Sequence, residues 1–233
     1  DSSGKATLWL FPTATTSYTI TAIPPSGSAF GTTTLSNVSV VIDSEETIIM
    51  PQPVILSGKV IDPLGNPVPN QTVYLQSSGD VRTTTNTNSL GNYSLQVTAG
   101  NYTLVIQSPN NNNPLNLNVP QSYNLVVNSY VLASTTSFDI TIPVKKVDIH
   151  VQDAMGNPVE DIEIRTNQPN NSNLPIGSGV IASGISSYGT GFNPQGPKTD
   201  TLGNTTLWLY PTSNTPYSFT AIPLVGGVYS PFI

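Results

Sequence analysis

Residues 1–25, DSSGKATLWLFPTATTSYTITAIPP, return at residues 200–224 as DTLGNTTLWLYPTSNTPYSFTAIPL. The two stretches align without a gap and share 14 of 25 positions, among them Trp9 with Trp208 and Tyr18 with Tyr217. Identity that dense, in a chain with only 9% charged residues, marks a tandem array, and the repeat sets the frame for every other element. A weaker copy, NSLGNYSLQVTAGNYTLVIQSP at 88–109, keeps the same order of turn, strand, short turn, strand and proline.

Working outward, ATLWLFP and SYTITAIP alternate as strands, and SNVSVVID with ETIIMPQP reads as a closing pair. LSGKVID then opens a module, with Leu56, Gly58 and Val60 on one face and Ser57, Lys59 and Ile61 on the other. DPLGNPV (62–68) makes a turn and QTVYLQ returns. In the weaker copy Tyr93, Leu95, Val97, Tyr102, Leu104 and Ile106 recur with period two, which predicts a hairpin with both strands facing a core. An Asn-rich connection, SPNNNNPL, leads to SYNLVVNSYVL and the closing strand FDITIPV.

DAMGNPV (153–159) repeats DPLGNPV at an offset of 91, whereas DTLGNTTL repeats NSLGNYSL at an offset of 112. The difference of 21 residues falls in a Gly/Asn/Ser-rich insertion at 167–198. The expected division is therefore the C-terminal half of a module at 1–52 and a complete module at 53–145. A third module at 146–233 carries the insertion and lacks its closing strands. IMPQP (49–53) and TIPVKK (141–146) read as linkers. No window sustains 3.6-residue apolar spacing, so no helix is expected. Short strands at regular spacing with D-x-x-G turns make the fold class all-β, a sandwich. A sequence that opens in mid-module, with no initiator methionine or signal peptide, is expected to be processed or excerpted.

The order V-x-V/I-x-D-x-x-G-N-P-V, short strand, T-D-x-x-G-N-x-x-L-x-L-x-P, Y-x-F/L-x-A-x-P resembles the carboxypeptidase-regulatory-like and B-type collagen-adhesin (Cna B-like) repeats, which are seven-stranded, transthyretin-like Greek-key sandwiches; it implies tandem immunoglobulin-like/transthyretin-like Greek-key β-sandwich modules here. The resemblance implies the fold and leaves function open, because that fold hosts stalk modules, carbohydrate-binding modules and carriers alike. Some adhesin relatives carry a Lys–Asn isopeptide bond set up by a buried acid. This chain departs from that pattern: Lys59 falls on the face opposite Leu56 and Val60, YTLVIQ holds no carboxylate and FDITIPV no Asn.

Composition excludes several function classes. A net charge of −6 with 7 basic residues argues against nucleic acid or an anionic membrane. No apolar run reaches the ~18–20 residues of a spanning helix. Without cysteine there is neither a disulfide framework nor a thiolate metal site. The single histidine, His150, lies on the face away from Val147, Ile149 and Val151, which removes a hydrolytic triad and multi-His metal sites. Asp1, Asp62, Asp153 and Asp200 each begin a D-x-x-G turn. A calcium loop needs several acids within twelve residues, and each turn has one, so Asp capping its own turn is the simpler account. Glu160, Asp161 and Glu163 form a small acidic cluster read as a solvated face rather than a glycosidase pair. No enzyme activity, metal or cofactor is expected.

The aromatic residues are more informative. Leu207 and Leu209 share one face of their strand, which leaves Trp208 and Tyr210 on the other; Trp9 and Phe11 repeat the arrangement. The middle copy has Gln96 and Thr98 at these positions, so the fold does not require aromatics there. Two fates suit them: burial against a neighbouring module, the commoner one in an array, or stacking on sugar rings. A third is that the 167–198 insertion folds over Trp208. N-x-S/T sequons at Asn37, Asn70, Asn92, Asn101, Asn170 and Asn204 are glycosylation sites only if the source glycosylates secreted proteins.

The expected function is an extracellular, cell-surface structural or adhesive protein: a stalk, sheath or filament whose partners are its own copies or neighbouring modules. In one version a segment like 36–50 of one chain completes 146–233 of the next by strand exchange. The alternative is a carbohydrate-binding accessory module that uses Trp9 and Trp208 on a polysaccharide.

Overall fold

The repeated turns fix where every strand begins. In the computed structural model of the protein, which describes all residues except 26, 27, 29, 110–112, 190–194, 213–214 and 224–233, the same five-residue turn recurs at residues 1, 62, 88, 153 and 200. Asp62 Oδ1 accepts the amides of Leu64 and Asn66, both at 2.8 Å. Asp153 does the same for Met155 and Asn157, and Asp200 for Leu202 and Asn204. Asn88 and Asp1 complete the set. A short polar side chain that satisfies two amides of its own turn is the reason Asp or Asn opens each one.

The leading segment holds β1 (Tyr18–Ala22) and β2 (Thr33–Val38), an antiparallel pair. The central segment holds β3 (Pro53–Ile61), β4 (Thr72–Ser77), β5 (Asp80–Asn86), β6 (Asn92–Thr98), β7 (Gly100–Gln107) and β8 (Ser122–Leu132). It ends in the short β9 (Thr136–Ser137) and β10 (Ile140–Thr141). The last segment holds β11 (Lys145–His150), β12 (Glu163–Thr166), β13 (Asn171–Gly177), β14 (Val180–Ser187), β15 (Asn204–Leu209) and β16 (Phe219–Ile222). No helix occurs among the described residues.

The central segment is a two-sheet sandwich. In one sheet β3 pairs antiparallel with β6, Leu56 opposite Leu95, and parallel with β9 and β10 on its other side. The second sheet runs β5-β4-β7-β8, all antiparallel. Between them Leu56, Val60, Leu75, Leu104, Ile106, Leu125 and Ile140 are wholly buried. Each such side chain contributes about 1.5–3 kcal/mol relative to exposure. Ile142 and Val144 join this core, so the TIPV of the expected linker is part of the sandwich and only the lysines after it are exposed.

The sequence expectation fails at two places. The inward residues of β6 and β7 are buried as predicted, but these strands do not form a hairpin: β6 belongs to the β3 sheet and β7 to the β4 sheet. Alternation reports which face meets the core, and both strands face the same core from opposite sides, so it cannot name the partner. The second failure is ATLWLFP, expected to be a strand. Residues 5–11 have no strand partner among the described residues, and 40–52 contain no strand either. Backbone groups of a strand need a neighbour, and the equivalent stretch β15 has one in β11, with Leu207 opposite Val147 and Trp208 opposite Lys146.

The last segment forms a second, smaller two-layer unit from the pairs β11–β15 and β12–β16. Val159, Ile162, Ile164, Leu207 and Leu209 are its core, flanked by Val147 and Ile149. The repeat persists to the level of single hydrogen bonds. Thr87 Oγ1 donates to Val68 and accepts from the Gln71 amide; Thr199 Oγ1 donates to Val159 and accepts from the Ile162 amide. Residues 224–233 lie outside the described residues, as does the centre of the Asn-rich connection.

Candidate module junction

The 167–198 insertion holds two strands. Its residues 171–187 are the hairpin β13–β14, turned through Ser178 and Gly179 at φ +46° and +74°. Two successive positive φ values are the mark of the tight hairpin turns whose twist matches that of the strands. The hairpin adds to the sheet of the central sandwich, where β14 lies antiparallel to β8 with Val126 opposite Ser183 and Tyr123 opposite Ser186. The sheet becomes six strands in the order β13-β14-β8-β7-β4-β5. An exposed sheet edge of β8 is thereby capped by backbone hydrogen bonds from a distant part of the chain.

Side chains reinforce this addition. Leu174, Ile176 and Ala182 of the hairpin are buried in the core of the central sandwich. Gly184 has a strict reason: a Cβ there would run into the carbonyl oxygen of Asn124 on β8. Around the hairpin lies a set of buried and half-buried polar contacts. Tyr188 donates its hydroxyl to the Val119 carbonyl (3.1 Å) and accepts the Trp208 amide (3.0 Å). Gln121 accepts the Gly189 amide at 2.8 Å and donates to the Gln195 carbonyl at 3.0 Å. Ser186 Oγ accepts the Tyr210 amide (3.1 Å) and meets the Tyr217 hydroxyl. Burial pushes the Tyr188 and Tyr210 hydroxyls well above the usual tyrosine range.

The aromatic faces of the two repeat copies have opposite environments. Leu207 and Leu209 lie in the core of the second unit, whereas Tyr210 is 1% exposed in the core of the central sandwich, and Trp208 is half-buried against it. Tyr210 is therefore no platform for a sugar ring in this structure. In the leading copy Trp9 is 93% and Phe11 86% exposed. The insertion does reach Trp208: the Tyr188 hydroxyl accepts its backbone amide, and its side chain packs against the core that Leu174, Ile176 and Ala182 of the insertion share.

Other residues singled out from sequence lie apart from this junction. His150 is exposed, its Nδ1 2.9 Å from Asn204 Oδ1. Lys59 is exposed on the outer side of β3. Glu160 and Asp161 are exposed, but Glu163, expected on the same solvated face, is buried. It receives Arg165 Nε at 2.7 Å and the Gly196 amide at 2.8 Å, because residues 196–199 lie along β12 and cover that side. Burial alone would raise its pKa; those partners outweigh it and hold the carboxyl below the usual range. No group of three or more His, Asp or Glu is arranged to hold a metal among the described residues. Of the sequon asparagines, Asn92 is half-buried and Asn37, Asn70, Asn101, Asn170 and Asn204 are exposed.

Sequence reasoning missed Tyr123, Gln121, Gly184 and Tyr188. The S-G turn at 178–179, set between Leu174-Pro-Ile176 and Val180-Ile181, was the available signal for the hairpin.

The central segment is an all-β sandwich opened by a D-x-x-G-N-P-V turn after its first strand, the fold class that the sequence resemblance implied. Residues 55–128 match the carboxypeptidase regulatory-like domain. The matched stretch runs from β3 into β8 and contains the β8 edge that the hairpin covers; the hairpin itself lies outside it. No curated protein matches the chain. Among solved structures, the shaft pilin SpaA of Lactobacillus rhamnosus GG aligns at 10% identity and a TM-score of 0.32, over 73% of this chain and 86% of that one. A streptococcal ancillary pilin aligns at 10% identity and 0.31, over 88% and 64%. The TIE protein of Bacillus anthracis aligns at 13% identity and 0.30, over 83% and 34%.

Proposed function

We propose that the chain is an extracellular, cell-surface structural protein, a stalk, sheath or filament of tandem β-sandwich modules at 1–52, 53–145 and 146–233. The observation that carries the reading is the junction. One module's hairpin completes its neighbour's sheet, and Tyr210 enters the neighbour's core. A short flexible linker leaves domains free to move, whereas strand addition with a shared apolar core couples them as one body. Such a coupling suits a load-bearing array and serves no catalytic purpose. The low charge, with Thr, Ser and Asn supplying the polar faces, fits an exposed surface protein.

In the finer version, chains join end to end, and a segment like 36–50 completes the open second unit of the next chain. Negative-stain electron microscopy of native material, with its intact mass, tests the reading. Long regular fibres or rods are expected. Discrete compact monomers together with polysaccharide binding that Trp9→Ala abolishes would replace it by an accessory binding module. Strict monomers of 1–233 at high concentration in ultracentrifugation would remove strand exchange alone.

A further inference from the structure

The apolar surface that the protein leaves open is concentrated in its first fifty residues. Leu8 is 59% exposed, and Trp9, Phe11, Ile23, Val41, Ile42 and Ile49 more so. Of these, Leu8, Trp9 and Phe11 fall together in one short stretch, 5–11, that has no strand partner among the described residues. Its occupant can be read from the chain itself, because residues 200–210, which match 1–11 at 6 of 11 positions including the T-L-W-L core, show the repeat in a covered state. There Leu207 and Leu209 are at most 2% exposed, β11 supplies the antiparallel partner, and the following Tyr210 enters the central sandwich.

We infer that residues 5–11 are a docking strand for a second copy of the segment 53–199, presented ahead of Asp1 in the register that residue 199 has to Asp200. The inference rests on the modular reading above and deepens it by naming partner and register. The strand like Lys145–His150 of that copy pairs antiparallel with Lys5–Leu10, its Val147 opposite Leu8 and its Ile149 opposite Ala6, as Val147 and Ile149 face Leu207 and Thr205 in the covered copy. Trp9 and Phe11 then take the places of Trp208 and Tyr210 against the copy's sandwich. Phe11 fits that place at least as well as tyrosine, since the Tyr210 hydroxyl has no hydrogen-bond partner among the described residues.

The test joins residues 53–199 ahead of Asp1 of the full chain and carries Trp208→Phe, which leaves Trp9 as the single tryptophan. Acrylamide quenching of Trp9 is expected to fall severalfold relative to the same variant of the 1–233 chain, and to rise again when the added copy carries Val147→Lys and Ile149→Lys. Equal quenching with and without the added copy overturns the inference. A second measurement uses the unmodified chain with a synthetic peptide of residues 144–153: hydrogen exchange of the amides between Lys5 and Phe11 should slow, and unchanged exchange at saturating peptide counts against the register. These readouts do not depend on polymerisation. Fibres with Trp9 still exposed would sink the docking strand and spare the filament, and a buried Trp9 without fibres would do the reverse.

Discussion

The ring of Tyr210 stands edge-on to that of Tyr123, centroids 6.2 Å apart and planes at 73°, although one follows β15 of the second unit and the other lies on β8 of the central sandwich. Edge-to-face contact of this kind adds about 0.5–1.5 kcal/mol to the burial of the rings. Tyr123 is in turn fixed by its hydroxyl, which donates to Gln71 Oε1 at 2.6 Å, so the second unit rests on a rigid part of the first.

Truncating Tyr210 to Ala should cost about 3–5 kcal/mol, the usual loss for a large aromatic removed from a core. Tyr210→Phe should behave in the opposite sense. Its hydroxyl is buried without a partner among the described residues, and removal of such a group relieves about 1–3 kcal/mol of desolvation. Denaturant midpoints of the two variants check the pair. A Phe variant clearly weaker than the parent would mean that the hydroxyl is bonded after all.

Gly184→Val should detach the hairpin while leaving the central sandwich folded. The new side chain meets the Asn124 carbonyl, and overpacking of that kind costs about 1–3 kcal/mol at the junction. Limited proteolysis is expected to nick the variant between residues 171 and 187 faster than the parent.

Acid should weaken the turn at Asp62. Burial pushes its pKa up, but the side chains of Asn66 and Asn118 and two backbone amides outweigh that and hold it below the ordinary value. A carboxyl whose folded pKa lies below the unfolded one, about 3.9, stabilises fully above that pH and loses the contribution as pH falls through the folded value. Asp62→Asn should therefore unfold at a midpoint less dependent on pH between about 5 and 2 than the parent does. Parallel curves for the two would remove Asp62 from the acid response.

Alkali should act through the buried tyrosines. Burial raises Tyr93, Tyr123, Tyr188 and Tyr210 above the ordinary tyrosine value. Above about pH 10 the unfolded chain releases these protons and the folded one keeps them, so stability falls as pH rises. Tyrosinate absorbance should appear in two stages, exposed residues first and these four only with unfolding. A single reversible titration near the ordinary value would contradict their burial.

The strands of the central sandwich were legible in sequence because period-two alternation and a turn fixed at each Asp or Asn carry enough information to place Leu56, Leu95 and Leu104 in one core. The partners of strands were not. Nothing in NYSLQV says that it pairs with β3 in one sheet while the next strand joins the other, since pairing is set by tertiary packing. The face bearing Trp208 and Tyr210 was legible as apolar and unneeded by the module's own core. What covers it was hidden, because β14 from its third residue on, Ala182-Ser-Gly184 and Ser186-Ser187, is mostly small residues that let β8 approach and that read as loop. Glu163 was misread for a related reason: its cover comes from 196–199, remote in sequence.

The central claim is that the hairpin 171–187 is part of the central sandwich's sheet. Hydrogen exchange of the native chain, resolved to single amides, tests it most directly. If the account holds, the amides of β14 that bond to β8 exchange as slowly as those between β7 and β8, because both open only with the sandwich. If Ser183–Ser187 exchange at the rate of a loop while β7 and β8 stay protected, the hairpin is not a strand pair of that sheet and the rigid junction does not exist.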